Sequence, residues 1–133
     1  IEPDAQSFAR GHITADLVER LYQISRLPKH QVAQERMRML ASTVWTPDLD
    51  RHRRETISKI EQRGLPAPTL LVWGANDPSA PLQLAYTLFS LICKKTRVAE
   101  LHVFNRAGHY VFREQPKAFD SLLWSFCRGT SLK

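Results

Sequence analysis

The sequence predicts an α/β chain in which helical segments lead into the edge of a parallel sheet with flanking helices. Three observations predict it. Apolar residues recur at helical spacing up to about Pro66, and the period changes after it. Two short runs of β-formers follow, "TLLVW" (69–73) and "AELHVF" (99–104). Between and after them lie strong helical patterns, and strand–helix–strand–helix order is the mark of a parallel pair joined by a crossover.

In chain order, residues 14–26, "TADLVERLYQISR", put Leu17, Leu21 and Ile24 on one face. Thr14 is the expected N-cap and Pro28 the stop. Residues 30–44 repeat the pattern with Val32, Met37, Leu40 and Val44. A third helix is expected over about 48–63, capped by Asp48, ended by Gly64, and with Leu49, Ile57 and Ile60 inward. The run 69–73 is continuously apolar, as in a strand covered on both faces. Residues 81–95 predict a helix burying Leu84, Leu88, Leu91 and Ile92. Residues 99–104 predict the second strand, and 116–128 a closing helix with Pro116 in its first turn and Phe119, Leu122, Leu123 and Phe126 inward. The chain thus divides into 1–64 and 65–133. Two strands do not make an independent sheet, so they are expected to be the edge of a larger one.

A length of 133 residues suits one domain, and 43% hydrophobic content can support a core. No apolar run approaches the roughly 20 residues of a membrane span, so no membrane association is expected. No charged-then-apolar leader stands at the start, and the chain opens on Ile1, which suggests processing, nicking or trimming. Cys93 and Cys127 match neither a zinc motif nor a disulfide framework and read as small buried apolar residues. A reducing, cytoplasmic setting fits them. The net charge of +6 could favour an acidic partner. Its densest run, "RHRR" (51–54), lacks interleaved aromatics and reads as a solvated helix face, so no nucleic acid is expected.

Two loops carry ionisable residues at the strand ends. Asp77 follows the first strand through "GAND", and His109 follows the second through "NRAG". If the strands are parallel, both loops leave the same edge of the sheet. An Asp and a His delivered across one crossover can hydrogen-bond, the Asp fixing the imidazole tautomer and leaving the other nitrogen as a base. Taken singly, an Asp after Asn is commonly an Asx-turn residue, and a Gly-His pair is commonly just loop.

"PTLLVWGANDPSAPL" together with "ELHVFNRAGHYVFREQPKAFDSLLWSF" resembles the C-terminal part of an α/β-hydrolase, over about residues 66–128. The resemblance implies a Ser–Asp–His triad in which Asp77 is the acid and His109 the base. Glu114, Pro116 and Phe119 match a pattern after the histidine that reads as structural. "ITADLVERLY" (13–22) is similar to a cap helix of the meta-cleavage-product hydrolases, which split carbon–carbon bonds in vinylogous 1,5-diketones. Leu21 stands where that family usually has Arg, and Tyr110 where it often has Trp. Arg20, one position along a helix, points about 100° away. Ester, lactone and carbon–carbon substrates therefore all stay open.

No Gly-x-Ser-x-Gly occurs, and Ser79 in "DPSAP" does not sit in a strand-to-helix elbow. The resemblance then implies a C-terminal piece whose serine and oxyanion hole lie on an N-terminal piece of the same hydrolase, with a small-molecule substrate and no metal or organic cofactor. A homo-oligomer is compatible with it. Tyr110, Tyr22 and Trp45, with Phe8, are the candidate substrate contacts. The rival expectations are a non-catalytic relative that binds a ligand or acts as a scaffold, and a basic helical module over 30–63 that binds nucleic acid.

Overall fold

The computed structural model describes residues 2–131. It falls into two compact units, one of residues up to Ile13 together with those from Ile60 on, the other Thr14–Lys59.

In the first unit, a short helix α1 (Glu2–Gln6) and a 3-10 turn (Arg10–His12) precede Ile13. Strand β1 (Thr69–Gly74), helix α5 (Leu82–Ile92), strand β2 (Ala99–Phe104), a four-residue helix α6 (Val111–Glu114) and helix α7 (Pro116–Ser131) complete it. The strands pair in parallel, Thr69 against Ala99 through Gly74 against Phe104. The pleat sends alternate side chains to opposite faces. On one face Leu71 packs with Ile60 and Ile92, joined by Leu65, Leu88, Phe89, Leu91, Ala99 and Leu101. On the other, Phe104 packs with Ala107 and Val111, joined by Val72, Phe119 and Leu122. Each strand thus feeds both layers, and the sheet is pinned between them.

The second unit is made of α2 (Ala15–Ser25), α3 (Pro28–Leu40), a π-helical turn (Ala41–Trp45) and most of α4 (Thr46–Arg63). Thr14 caps α2 as expected, its Oγ1 accepting from the Leu17 amide at 3.2 Å. Pro28 starts α3 at its first turn. The expected break before Asp48 is absent: helix runs without interruption from Pro28 to Arg63. Pro47 lacks an N–H and its ring crowds the carbonyl four residues back, and the wider π turn just before it accommodates both. Asp48 therefore pairs with Arg51 at 2.8 Å inside the helix rather than capping it. Gly64 ends α4 as expected, at φ 71°, with its amide donating to the Ile60 carbonyl at 2.8 Å. A β-carbon there would lie 2.6 Å from the Lys95 backbone, so the turn requires glycine on both counts.

Several inward assignments are corrected. Leu84 and Leu123 are exposed, because α5 turns Ala85, Leu88 and Ile92 to the sheet and α7 turns Phe119 and Leu122 to it. Cys93 and Cys127 are exposed, not buried. Cys93 falls in the turn after α5, beyond the packed face. In the second unit Leu21, Ile24, Val32, Met37, Leu40, Val44, Leu49 and Ile57 are all exposed. Helical spacing gathers them on a face, but spacing alone does not supply an element to cover it. Among the described residues no helix is long and apolar enough to cross a membrane.

Candidate functional site

Asp77 sits three residues beyond the end of β1, in a turn that the sheet and its own side chain hold. The Ala75 amide continues the ladder to the Phe104 carbonyl at 2.9 Å, and the Asn76 amide reaches the Ala107 carbonyl at 2.9 Å. The Trp73 indole N–H donates to the Ala80 carbonyl at 2.7 Å and closes the loop from the strand side. Asp77 Oδ1 accepts from the amides of Ser79 (2.8 Å) and Ala80 (3.0 Å) and from the Ser79 hydroxyl (2.7 Å). Its other oxygen, Oδ2, lies 2.7 Å from His109 Nδ1. The Asx-turn and acid–base expectations for Asp77 are therefore compatible in one carboxylate, with one oxygen for each.

The His109 loop is held from three sides. Arg106 takes a left-handed conformation at φ 56°, eased by Asn105, whose side-chain oxygen accepts from the Arg106 amide at 2.9 Å. The Gln115 side chain donates to the Asn105 carbonyl at 2.8 Å. Glu114 accepts three backbone amides: Gly108 at 2.9 Å on one oxygen, Phe8 at 3.0 Å and Ala9 at 2.7 Å on the other. The His109 amide itself donates to the Gln6 carbonyl at 2.9 Å. The approach is so close that a β-carbon on Gly108 would fall 2.3 Å from that carbonyl, and one on Gly74 would fall 2.0 Å from the Gly108 carbonyl. Two glycines thus let the ends of both strands and the N-terminal segment meet at backbone distance.

Nδ1 of His109 faces a carboxylate, which only accepts, so Nδ1 carries the proton in this pair. Nε2 then holds a lone pair when the ring is neutral, and it makes no hydrogen bond among the described residues. The ring is half exposed while the Asp77 side chain is only 5% exposed. Burial pushes the Asp77 carboxyl up. The hydrogen bonds from the Ser79 hydroxyl, His109 and the Ser79 and Ala80 amides outweigh it and hold the pKa below the ordinary value. Asp77 and His109 share a small cleft with Val72, Trp73, Gly74, Ala80 and Val111. A buried anion on Nδ1 can orient the imidazole, and the outward Nε2 can then accept a proton.

Tyr110 lies beside this pair, its ring edge-on to His109 with centroids 5.3 Å apart and its hydroxyl donating to the Gln6 side chain at 3.2 Å. Tyr22 and Trp45 belong to the other unit. Tyr22 is exposed and lies under the Arg26 guanidinium, 5.6 Å away. Trp45 ends the π turn and lines a shallow cleft with Val44, Asp48, Leu49 and His52. Phe8 is exposed, and it is its backbone that reaches the His109 loop. Sequence reasoning missed Gln6 and the part played by Ser79; the Asp-x-Ser spacing was the one available signal for the latter. The "RHRR" run is solvated as expected: Arg51, His52 and Arg53 pair with Asp48, Glu55 and Asp50 on their own helix. Among the described residues, no three His, Cys, Asp or Glu side chains are gathered as a metal ion would require.

No protein-family model matches the chain. It is 30% identical over 123 residues to a 2-hydroxymuconate semialdehyde hydrolase of Pseudomonas sp. strain CF600, covering 92% of this chain and 40% of that protein. It is 37% identical over 60 residues to a 2-hydroxy-6-oxononadienedioate/2-hydroxy-6-oxononatrienedioate hydrolase of Cupriavidus pinatubonensis, covering 45% of this chain and 19% of the relative. A Pseudomonas putida hydrolase of the same description is 38% identical over 60 residues, 20% of its length. The chain therefore spans two fifths or less of these curated relatives. The curated homologues of this chain are thus meta-cleavage-product carbon–carbon hydrolases of the α/β-hydrolase superfamily, and its parallel strand pair is compatible with part of that fold.

Proposed function

We propose that this chain is the C-terminal part of a serine-type α/β-hydrolase, supplying the triad acid Asp77 and base His109. The observation that carries the reading is the 2.7 Å contact between Asp77 Oδ2 and His109 Nδ1, which turns Nε2 outward as the basic atom. The nucleophile and oxyanion hole come from residues outside these 133, on a separate or preceding N-terminal piece, since no Gly-x-Ser-x-Gly occurs here. In the mechanism, His109 Nε2 takes a proton from that serine or from water, and Asp77 stabilises the imidazolium that forms. Backbone amides of the other piece hold the oxyanion. The substrate is a small ester, lactone or vinylogous diketone. The relatives' names, which give 2-hydroxymuconate semialdehyde and 2-hydroxy-6-oxononadienedioate or -trienedioate, favour carbon–carbon cleavage of an unsaturated 2-hydroxy-6-oxo acid. Helices 14–63 are the cap segment of this hydrolase, and Tyr110, Tyr22 and Trp45 contact substrate. The apolar side chains left open on those helices support a missing partner surface.

Intact masses of the protein purified from its native source, followed by an assay on a 2-hydroxy-6-oxo dienoate, test this. The expected result is a component bearing Gly-x-Ser-x-Gly and a turnover that falls by more than about 10³-fold in His109→Ala. A folded, monodisperse particle holding these 133 residues alone and hydrolysing nothing would overturn it. The second reading, a non-catalytic ligand-binding or scaffold relative, is the one favoured by a partner piece whose serine is replaced.

A further inference from the structure

Ser79 is left over by the acid–base reading, yet it touches both members of the pair. Its hydroxyl donates to Asp77 Oδ1 at 2.7 Å, and its amide donates to the same oxygen at 2.8 Å. The same Oγ lies 3.2 Å from His109 Nδ1. A hydroxyl has one proton and two lone pairs. With its proton committed to Oδ1, a lone pair is left towards Nδ1. The Nδ1 proton is then shared between Oδ2 at 2.7 Å and Oγ at 3.2 Å. Oδ1, Ser79 Oγ, His109 Nδ1 and Oδ2 form a closed ring of contacts.

We infer that Ser79 is a positioning residue whose hydroxyl bridges Asp77 and His109 and locks the carboxylate plane against the imidazole. A carboxylate rotates about a soft two-fold torsion, so two amides on one oxygen leave the other oxygen loosely aimed. The bridge removes that freedom. It also adds a third donor to Oδ1, beside the Ser79 and Ala80 amides, on a carboxylate whose side chain is almost fully covered. Ser79 is not the nucleophile, because Oγ faces the proton-bearing nitrogen and not Nε2. The inference rests on the proposed function only in calling His109 a base; the bridge itself needs no partner piece. His109 is the ionisable group facing Asp77, and the other residues lining their cleft, Val72, Trp73, Gly74 and Ala80 from β1 and its turn and Val111 from α6, carry no charge.

The test compares Ser79→Ala, Ser79→Cys and Ser79→Thr in the protein as isolated, with any companion piece. Carbon NMR follows the Asp77 carboxyl through acid titration, and proton NMR follows the His109 Nδ1 proton. Ser79→Ala is expected to move the Asp77 midpoint up towards the ordinary carboxylate value and to broaden the Nδ1 signal by exchange. The Cys variant, which keeps the volume but donates weakly, is expected to shift both signals in the same direction, and it carries the test if the Ala variant fails to fold. The Thr variant restores both signals. Where turnover is present, Ser79→Ala lowers kcat by about 3- to 10-fold, the size of one modest hydrogen bond, with KM unchanged. An Asp77 midpoint and Nδ1 signal identical to wild type in whichever of the Ala and Cys variants folds would overturn the inference. A protein isolated with its Gly-x-Ser-x-Gly piece that shows no turnover yet keeps the Ser79-dependent titration would sink the proposed function and leave the bridge standing.

Discussion

The helices between Thr14 and Lys59 and the sheet unit around them in sequence use apolar residues in opposite ways. Every described residue of the helical unit is at least partly open to solvent, and Leu49 and Met39 are 59% and 68% exposed. The sheet unit buries Ile60, Leu71, Ala85, Ile92, Phe104, Ala107 and Val111 on the two faces of one strand pair. The first is written by local signals: a Thr cap, a Pro at a first turn, and ion pairs three or four residues apart. Such signals are individually small, and most helical stability in proteins comes from packing an apolar face. The second is written by packing, and the Asp77–His109 distance is a product of it. Precision at a site thus comes from the buried layer beneath it, while the helices present surface.

That contrast breaks most directly by truncation. Ile92→Ala and Leu71→Ala are expected to cost about 2–5 kcal/mol each by urea unfolding, whereas Leu49→Ala stays within about 0.5 kcal/mol. Equal losses at Ile92 and Leu49 would mean that the helical unit has a buried face of its own. Gly74→Ala forces a methyl group to 2.0 Å from the Gly108 carbonyl. The expected cost is about 1–3 kcal/mol, together with loss of the His109 Nδ1 signal in proton NMR. A Gly74→Ala protein with wild-type stability would show that the two loops do not meet so closely.

Smaller effects sharpen the comparison. Thr14→Ala removes the cap on α2 and is expected to lower stability by about 1 kcal/mol, read as lost helicity by circular dichroism. It should leave the Asp77 titration unchanged, because the cap belongs to the other unit. The acid limb reports the sheet unit alone. The Asp77 pKa is depressed from its ordinary 3.8, so its contribution to stability is present above that value and is lost as pH falls through the lower folded one. Asp77→Asn should flatten the stability profile below pH of about 4, with little change near neutrality in slope. An unchanged acid limb would show that Asp77 is not held as an anion.

Strong local chemistry made much of this legible. The runs 69–73 and 99–104 were readable because β-formers are clustered between turn signals, and both are strands. Gly64 and Thr14 were readable because only certain residues end or begin a helix well. Asp77 and His109 were readable as loop residues because they follow strands closely. What failed depends on distance in sequence. The amides of Phe8 and Ala9 meet Glu114 more than a hundred residues later, and no periodicity encodes that. The four-residue α6 is too short to show a period. The cysteines were misplaced because small apolar character says nothing about which side of an element faces the core.

Asp77 reaches its histidine with half of its carboxylate already engaged by its own turn, and that turn is stapled by Trp73. The portable part is therefore the whole loop from Trp73 to Ala80 and not the aspartate. Grafted to another parallel strand end, the loop would bring one oxygen committed and one aimed outward. A lone aspartate set at the same strand end would arrive with neither.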